Sequence, residues 1–275
     1  MLKTERMDRV RAALRAQGLT QMIVCDPKSV WYLTGVAVEP YERLLALYLP
    51  TEGEPVLFLN RLFNVPEPPC RTVWHTDTDK PVAQIAEVVD AGRPLGIDKE
   101  WPAKFLIPLM ETHPGMQVVL SSDCVDDCRA CKDAEEQTLM REASRINDAV
   151  NEAAKHYIKA GMTEREVAEF IGAQFRAHGC EGPSFTTIVS FGANTADPHH
   201  EPDDTVLKEG DCVLFDMGCV KSRYCSDMTR TWFCGQPTEK QAAVHDLVRR
   251  ANEAAEAVGY YLGNGNLNNF YALMN

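Results

Sequence analysis

Apolar residues recur along this chain at two spacings, and the spacing changes with position. Residues 4–17 place Met7, Val10 and Leu14 at helical intervals, with Gly18 just beyond them as a C-cap. MIVC (22–25) reads as a short buried strand, and LLALYL (44–49) and PVLFL (55–59) flank the turn-like TEGE as a hairpin. A helix over 81–91, a strand at GID (96–98) and a helix over 103–112 continue the alternation. This half is expected to be an α/β domain ending near residue 122.

The next stretch, 133–160, is a long amphipathic helix with Leu139, Ala143, Ile146, Val150, Ala153 and Tyr157 along one face. Its acidic start (Asp133, Glu135, Glu136) suits the helix dipole. Gly161 ends it, and Thr163-x-x-Glu166 opens a second helix to about 177 as a capping box. After Gly179 the period shortens to that of strands: TTIVSFG, DCVLFDMGCV and SDMTRTWF. Residues 239–258 return to a helix rich in Ala and Glu. The domain boundary is expected within 123–133.

Composition narrows the class. The chain has 275 residues, 45% hydrophobic and 25% charged, which excludes disordered and low-complexity proteins. Its 28 basic residues against 40 acidic give a net charge of −12, a poor match to nucleic acid or an anionic membrane. No apolar run reaches transmembrane length, and Met1 to Arg15 is charged and helix-like, so a cytoplasmic protein is expected. The 10 cysteines read as reduced thiols. Cys124, Cys128 and Cys131 share a helical spacing and are given a structural role, because no second pair completes a zinc site. Residues 259–275 stand apart, with no charged residue, five Asn and three Gly.

Two places carry candidate chemistry. Asp216 closes the apolar run VLFD, and Asp227 lies in the returning segment YCSDMTRT. With Lys221-Ser222 as a hairpin tip, the two acids stand directly opposite, with Cβ atoms about 4.5–5.5 Å apart. Such a pair repels unless a proton or cation sits between its members. Divalent metals about 3.5–4 Å apart would satisfy it. The alternative is that both acids only end solvent-facing strands. The second place is Phe191-Gly192-Ala193-Asn194 followed by Asp197-Pro198-His199-His200-Glu201-Pro202, where an imidazole can bind metal or move a proton. The alternative there is an ordinary surface loop.

The run SFGANTADPHHEPDDTVLKEGDCVLFDMGC…YCSDMTRTWF closely resembles the pita-bread metallopeptidases, the Xaa-Pro dipeptidases and Xaa-Pro aminopeptidases. DPKSVWYLTG, ERLLALYLP and GIDKEWPA resemble their N-terminal domain, and VDDCRACKDAEEQTLMREASRIND their interdomain helix. The resemblance implies a creatinase/prolidase-like α/β domain at 1–125, a partial α+β pita-bread domain at 126–258 and an unrelated tail at 259–275. It implies metal ligation by Asp216 and by Asp227, which bridges two divalent ions (Mn, Co or Zn). It implies a catalytic His199 contacting the tetrahedral intermediate, and a His200 that binds substrate or shapes the loop. The implied reaction is attack of a metal-bridging hydroxide on the amide before proline. The implied partners are a proline-containing peptide and a second copy of the chain.

The sequence also departs from that family. Its ligand set is two Asp, a His and two Glu, and nothing after residue 258 matches the last three. His245 and Glu256 lie in a predicted helix, outside any matching motif. With the compositional break, this suggests a coding sequence interrupted near residue 258, metal binding that is weak or absent, and a chain inactive as given. Arg223 stands where relatives carry a turn Gly. Two other readings are a non-enzymatic dimerisation or binding remnant and a metal-free hydrolase similar to creatinase. The second is disfavoured because both aspartates are present.

Overall fold

A computed structural model describes the backbone of residues 2–272 and the side chains of residues 2–257. The chemical break expected at 259–275 falls outside the described side chains. The chain divides into two compact units, Met1–Cys131 and Lys132–Asn275.

The first unit runs α1 (Thr4–Ala16), β1 (Gln21–Val24), α2 (Pro27–Thr34), β2 (Ala46–Pro50), β3 (Val56–Asn60), β4 (Arg71–His75), α3 (Pro81–Ala86), β5 (Leu95–Ile97), α4 (Ala103–Thr112), β6 (Val118–Leu120) and α5 (Asp123–Ala130). Its six-stranded sheet has the order β4-β3-β2-β1-β5-β6. β2 is antiparallel to both β1 and β3, while β4, β5 and β6 each join a neighbour in parallel. Successive residues of β1 feed opposite faces: Met22 and Val24 pack with Leu14, Leu33 and Leu47, and Ile23 packs with Phe58, Ile85 and Leu109. Burial on both faces explains why the strands read as unbroken apolar runs.

The sequence reading missed α2 although its signals are present. Asp26 accepts the N–H groups of Lys28 and Ser29, Pro27 occupies the first turn, and Gly35 closes the helix with φ +76°. It also overran α3, which stops at Ala86. Cys124 and Cys128 are buried on α5 as expected, but Cys131 lies beyond the helix end and is exposed.

The second unit runs α6 (Ala134–Tyr157), α7 (Glu164–Ala177), β7 (Gly182–Pro183), β8 (Ile188–Phe191), a 3-10 turn (Gly192–Ala196), β9 (Cys212–Met217), β10 (Cys219–Lys221), β11 (Tyr224–Cys225), β12 (Met228–Phe233) and α8 (Glu239–Ala272). Reciprocal capping boxes open both α6 (Asp133 with Glu136) and α7 (Thr163 with Glu166). The strands form two three-stranded sheets, β12-β9-β8 and β11-β10-β7. Val213, Phe215 and Met217 of β9 pack with Ala143, Val150 and Ala154 of α6 and with Val167, Ile171 and Phe175 of α7.

The buried stripe of α6 is rotated slightly from the expected one. Asn147 and Ala154 are inside, while Tyr157 is 39% exposed. Asn147 is tolerated there because its Nδ2 donates to the Met217 carbonyl at 3.0 Å. Tyr157 stacks on Phe170 at 3.9 Å. No described helix is long and apolar enough to cross a membrane.

Candidate metal centre and histidine loop

Alternation along β9 sets the site. Val213, Phe215 and Met217 are buried against the helices, which turns Leu214 and Asp216 to the other face of the sheet. Asp216 sits on the central strand, with Ile188 of β8 on one side and Thr229 of β12 on the other. Its Oδ1 is buried and has no hydrogen-bond partner among the described residues. An orphaned anionic oxygen is costly unless a cation or proton arrives.

The expected hairpin register is corrected here. Lys221 pairs with Tyr224 and Val220 with Cys225, so the two-residue tip is Ser222-Arg223, not Lys221-Ser222. Both tip residues have positive φ, 50° and 67°, as a type I′ turn requires. The same register continues through Met217↔Met228, so Thr229, not Asp227, is directly opposite Asp216. Asp227 precedes Thr229 by two positions, just ahead of β12, and is close enough to Asp216 to feel its charge. It is a diagonal neighbour of Asp216, a relationship with a typical Cα separation of about 7–8 Å and less between side chains. Burial pushes the Asp227 carboxyl upward, and the nearby Asp216 charge adds to that shift. The acids are thus electrostatically coupled although they do not pair.

The two histidines are treated differently by the fold. His199 is exposed, and its backbone N–H donates to Asp197 Oδ1 at 2.9 Å in an Asx turn. His200 is drawn inward, with Nε2 only 2.6 Å from Glu164 Oε2. That contact commits Nε2, so His200 holds its own loop and is not free through that nitrogen for substrate.

Glu164, the first residue of α7, is fully buried. The sequence does not single it out, because an acid in the first turn of a helix is already favoured by the helix dipole. Asn194 was noticed only as part of a Gly-Asn loop, yet its Nδ2 reaches Glu164 at 3.0 Å and Thr205 Oγ1 at 3.1 Å. Glu164, His200 and Asp203 bring donor atoms within 4.8 Å of one another, the spacing of a cation site. Glu164 already accepts from Phe191 N–H, Asn194 Nδ2, His200 Nε2 and Asp203 N–H, which fills the lone pairs of a carboxylate. The donor set fits a closed hydrogen-bond network. By contrast, the orphaned oxygen of Asp216 beside a second carboxylate does fit a metal.

An α/β unit followed by a helix-backed antiparallel sheet, with Asp216 on the face turned away from the helices, fits the class of two-domain metallohydrolases. Comparison with known proteins gives the family. Residues 138–259 match metallopeptidase family M24, and residues 6–131 match the creatinase/prolidase N-terminal domain. An uncharacterized peptidase of Staphylococcus aureus is 32% identical over 243 residues, covering 84% of this chain and 67% of its own length. The crystal structure of recombinant prolidase from Thermococcus sibiricus superposes with a TM-score of 0.84 at 30% identity, covering 93% of this chain and 72% of that one. Dipeptidase PepE from Mycobacterium ulcerans does so with a TM-score of 0.84 at 30% identity, covering 92% and 70%. The chain belongs to the M24 metallopeptidases and carries their creatinase-type N-terminal domain.

Proposed function

We propose that this protein is built as a peptidase for the Xaa-Pro amide bond, with a two-metal centre held in part by Asp216 and Asp227. The observation that carries this reading is the orphaned Asp216 oxygen diagonal to a second, electrostatically coupled carboxylate. Prolidases among the structural relatives support the substrate class. When bound, the metals polarise the scissile carbonyl and lower the pKa of a water molecule. The aspartates hold the cations on the open face of the sheet. His199, exposed on its turn, donates to the oxygen on which charge develops. His200 stays on Glu164 and keeps that turn in place.

Two carboxylates offer few ligands to a divalent cation, so this chain alone is proposed to bind metal weakly and to turn over little or no peptide. The test is manganese content and isothermal titration, followed by assays on Xaa-Pro di- and tripeptides. Weak binding that disappears in Asp227→Ala supports the reading. Turnover that is abolished by Asp227→Ala refutes the inactivity but upholds the chemistry. Binding or turnover unaffected by that substitution refutes the site.

A second reading has its own observation. Val244, Leu247 and Val248 of α8 are 53%, 59% and 63% exposed and share one helix face. A second copy of the chain packing there would make the protein a homodimer, with binding rather than catalysis as its retained role. Sedimentation of the wild type against Leu247→Glu tests it, and an unchanged monomer in both rejects it. A cytoplasmic location is part of the same proposal.

A further inference from the structure

We infer that Glu164 is a positioning residue that decides which of the two adjacent histidines is presented at the site, drawing His200 inward and leaving His199 outward. The inference rests on the reading of His199 as the acting residue. Its basis is geometric. Glu164 is 0% exposed, and the four hydrogen bonds its carboxylate accepts all come from the segment 191–203 that carries the histidines. Oε1 takes the Phe191 N–H at 2.7 Å and Asn194 Nδ2 at 3.0 Å. Oε2 takes His200 Nε2 at 2.6 Å and the Asp203 N–H at 3.1 Å. One carboxylate thus fastens both ends of the segment and two of its interior side chains.

A carboxylate is required for this, because it is the side chain that accepts at every lone pair and donates nowhere. Glutamine with Oε1 toward Phe191 and Asn194 would turn its amide donors toward His200 and the Asp203 N–H. The imidazole can answer by changing tautomer, but the backbone N–H cannot. Burying an acid at this depth is costly without such partners, so the network accounts for its placement. The segment starts where β8 ends, one strand from Asp216, so its Phe191 end is tied to the same sheet that carries Asp216. The result is asymmetric: the His200 side chain is 14% exposed, whereas His199 is exposed and its ring has no partner among the described residues.

The test uses the full chain with 15N-labelled histidine and amide hydrogen exchange, comparing wild type, Glu164→Gln and Thr163→Ala. The wild type is expected to show a slowly exchanging His200 Nε2–H, identified by its loss in His200→Asn. In Glu164→Gln that signal disappears and the His199 resonances shift. His113 and His178, bonded to the Ala86 and Gln174 carbonyls, stay as internal references. The Asp203 amide exchanges about tenfold faster or more, as loss of a charge-assisted bond implies, while Phe191 changes little because an acceptor remains. Thr163→Ala weakens the same helix cap but keeps Glu164, so it leaves both readouts intact.

An unchanged His200 signal and Asp203 amide in Glu164→Gln overturns the inference. Equal loosening in Thr163→Ala also overturns it, since the effect would then belong to the helix end. If Glu164→Gln does not fold, His200→Asn removes one strut alone. Faster amide exchange at residues 199 and 200 with Phe191 unchanged then supports the inference, and no change at any amide across 197–203 overturns it. None of these readouts needs peptide turnover. Metal binding that Asp227→Ala leaves unchanged would therefore sink the peptidase proposal without touching this result.

Discussion

Asp216 stands directly opposite Thr229, and Asp227 lies two residues before that threonine, just ahead of its strand. The acids therefore meet across a diagonal, leaving room for a cation that neither forms alone. Adding Mn2+ is expected to raise the unfolding midpoint of the wild type by a few degrees. Saturation to ten times the Kd corresponds to about 1.4 kcal/mol. Asp216→Asn and Asp227→Asn are each expected to lose most of that response, read by thermal unfolding with and without metal. A full manganese response in Asp227→Asn would place the binding site elsewhere.

The turn that fixes this register carries a measurable strain. Ser222 and Arg223 hold φ of 50° and 67°, a region glycine enters far more readily than arginine. Arg223→Gly is expected to stabilise the protein by about 1 kcal/mol, because the left-handed penalty disappears. The hydrogen bond from the residue 223 N–H to Glu181 Oε1 at 3.0 Å is a backbone donation and survives the change. Equilibrium urea unfolding checks it, and a destabilised Arg223→Gly would show that the side chain contributes more than its backbone costs.

That turn also marks where the sequence stopped being readable. The period-two run from Cys212 to Phe233 told which residues share a face, because alternation survives any shift of the tip by a whole residue. It could not tell which pair is directly opposite, since Ser222-Arg223 lacks the Asn-Gly or Asp-Gly that announces a type I′ turn. Helices opened by a capping box were legible, as Thr163 and Glu166 were, because the signal is local. Glu164 was not. Its partners at Phe191, His200 and Asp203 are 27 to 39 residues away, and nothing in its own neighbourhood separates a buried carboxylate from a surface one. The histidine pair was visible as chemistry, but only the fold shows that the two rings go to different places.

Arg43 and Asp77 offer a check on the electrostatics of the first unit. Arg43 Nε and Nη2 meet the two Asp77 oxygens at 3.0 Å each, and Asn60 Nδ2 adds a third contact at 2.9 Å. The Arg43 hydrogen bond foremost, with Asn60 in support, lowers the Asp77 carboxyl below its ordinary value. A carboxylate lowered on folding stabilises the native state above its unfolded pKa of about 3.9. That contribution is lost as pH falls through the lowered folded value. Arg43→Met is expected to move the Asp77 titration upward and to flatten stability over this acidic window, leaving neutral pH little affected at so exposed a pair. Carbon-detected titration of the Asp77 carboxyl decides it, and an unshifted Asp77 in Arg43→Met would discard the assignment.

Gly218 is where β9 gives way to β10, between the strand carrying Asp216 and the hairpin that returns Asp227. Its conformation is ordinary. What it requires is space, because a Cβ there would collide with the Ser226 carbonyl oxygen and Ser184 Oγ. Those atoms are not free to retreat. Ser184 Oγ donates to the Ser226 carbonyl at 2.8 Å, Ser184 N–H to the Gly218 carbonyl at 3.0 Å, and Ser226 N–H to the Cys219 carbonyl at 2.9 Å. Gly218→Ala is therefore expected to cost about 2 kcal/mol or more, by forcing backbone rather than a flexible side chain to move. Gly182→Ala is the matched control, since nothing lies within 4 Å of its would-be Cβ. It should cost no more than a few tenths of a kcal/mol, the usual scale of an unstrained change at an open position. Because Ser226 precedes Asp227, the metal-dependent rise in midpoint should shrink in Gly218→Ala as well, while Gly182→Ala keeps it. Equal stability of the two variants would show that the strand junction yields, and that Asp227 is not held by the packing around Gly218.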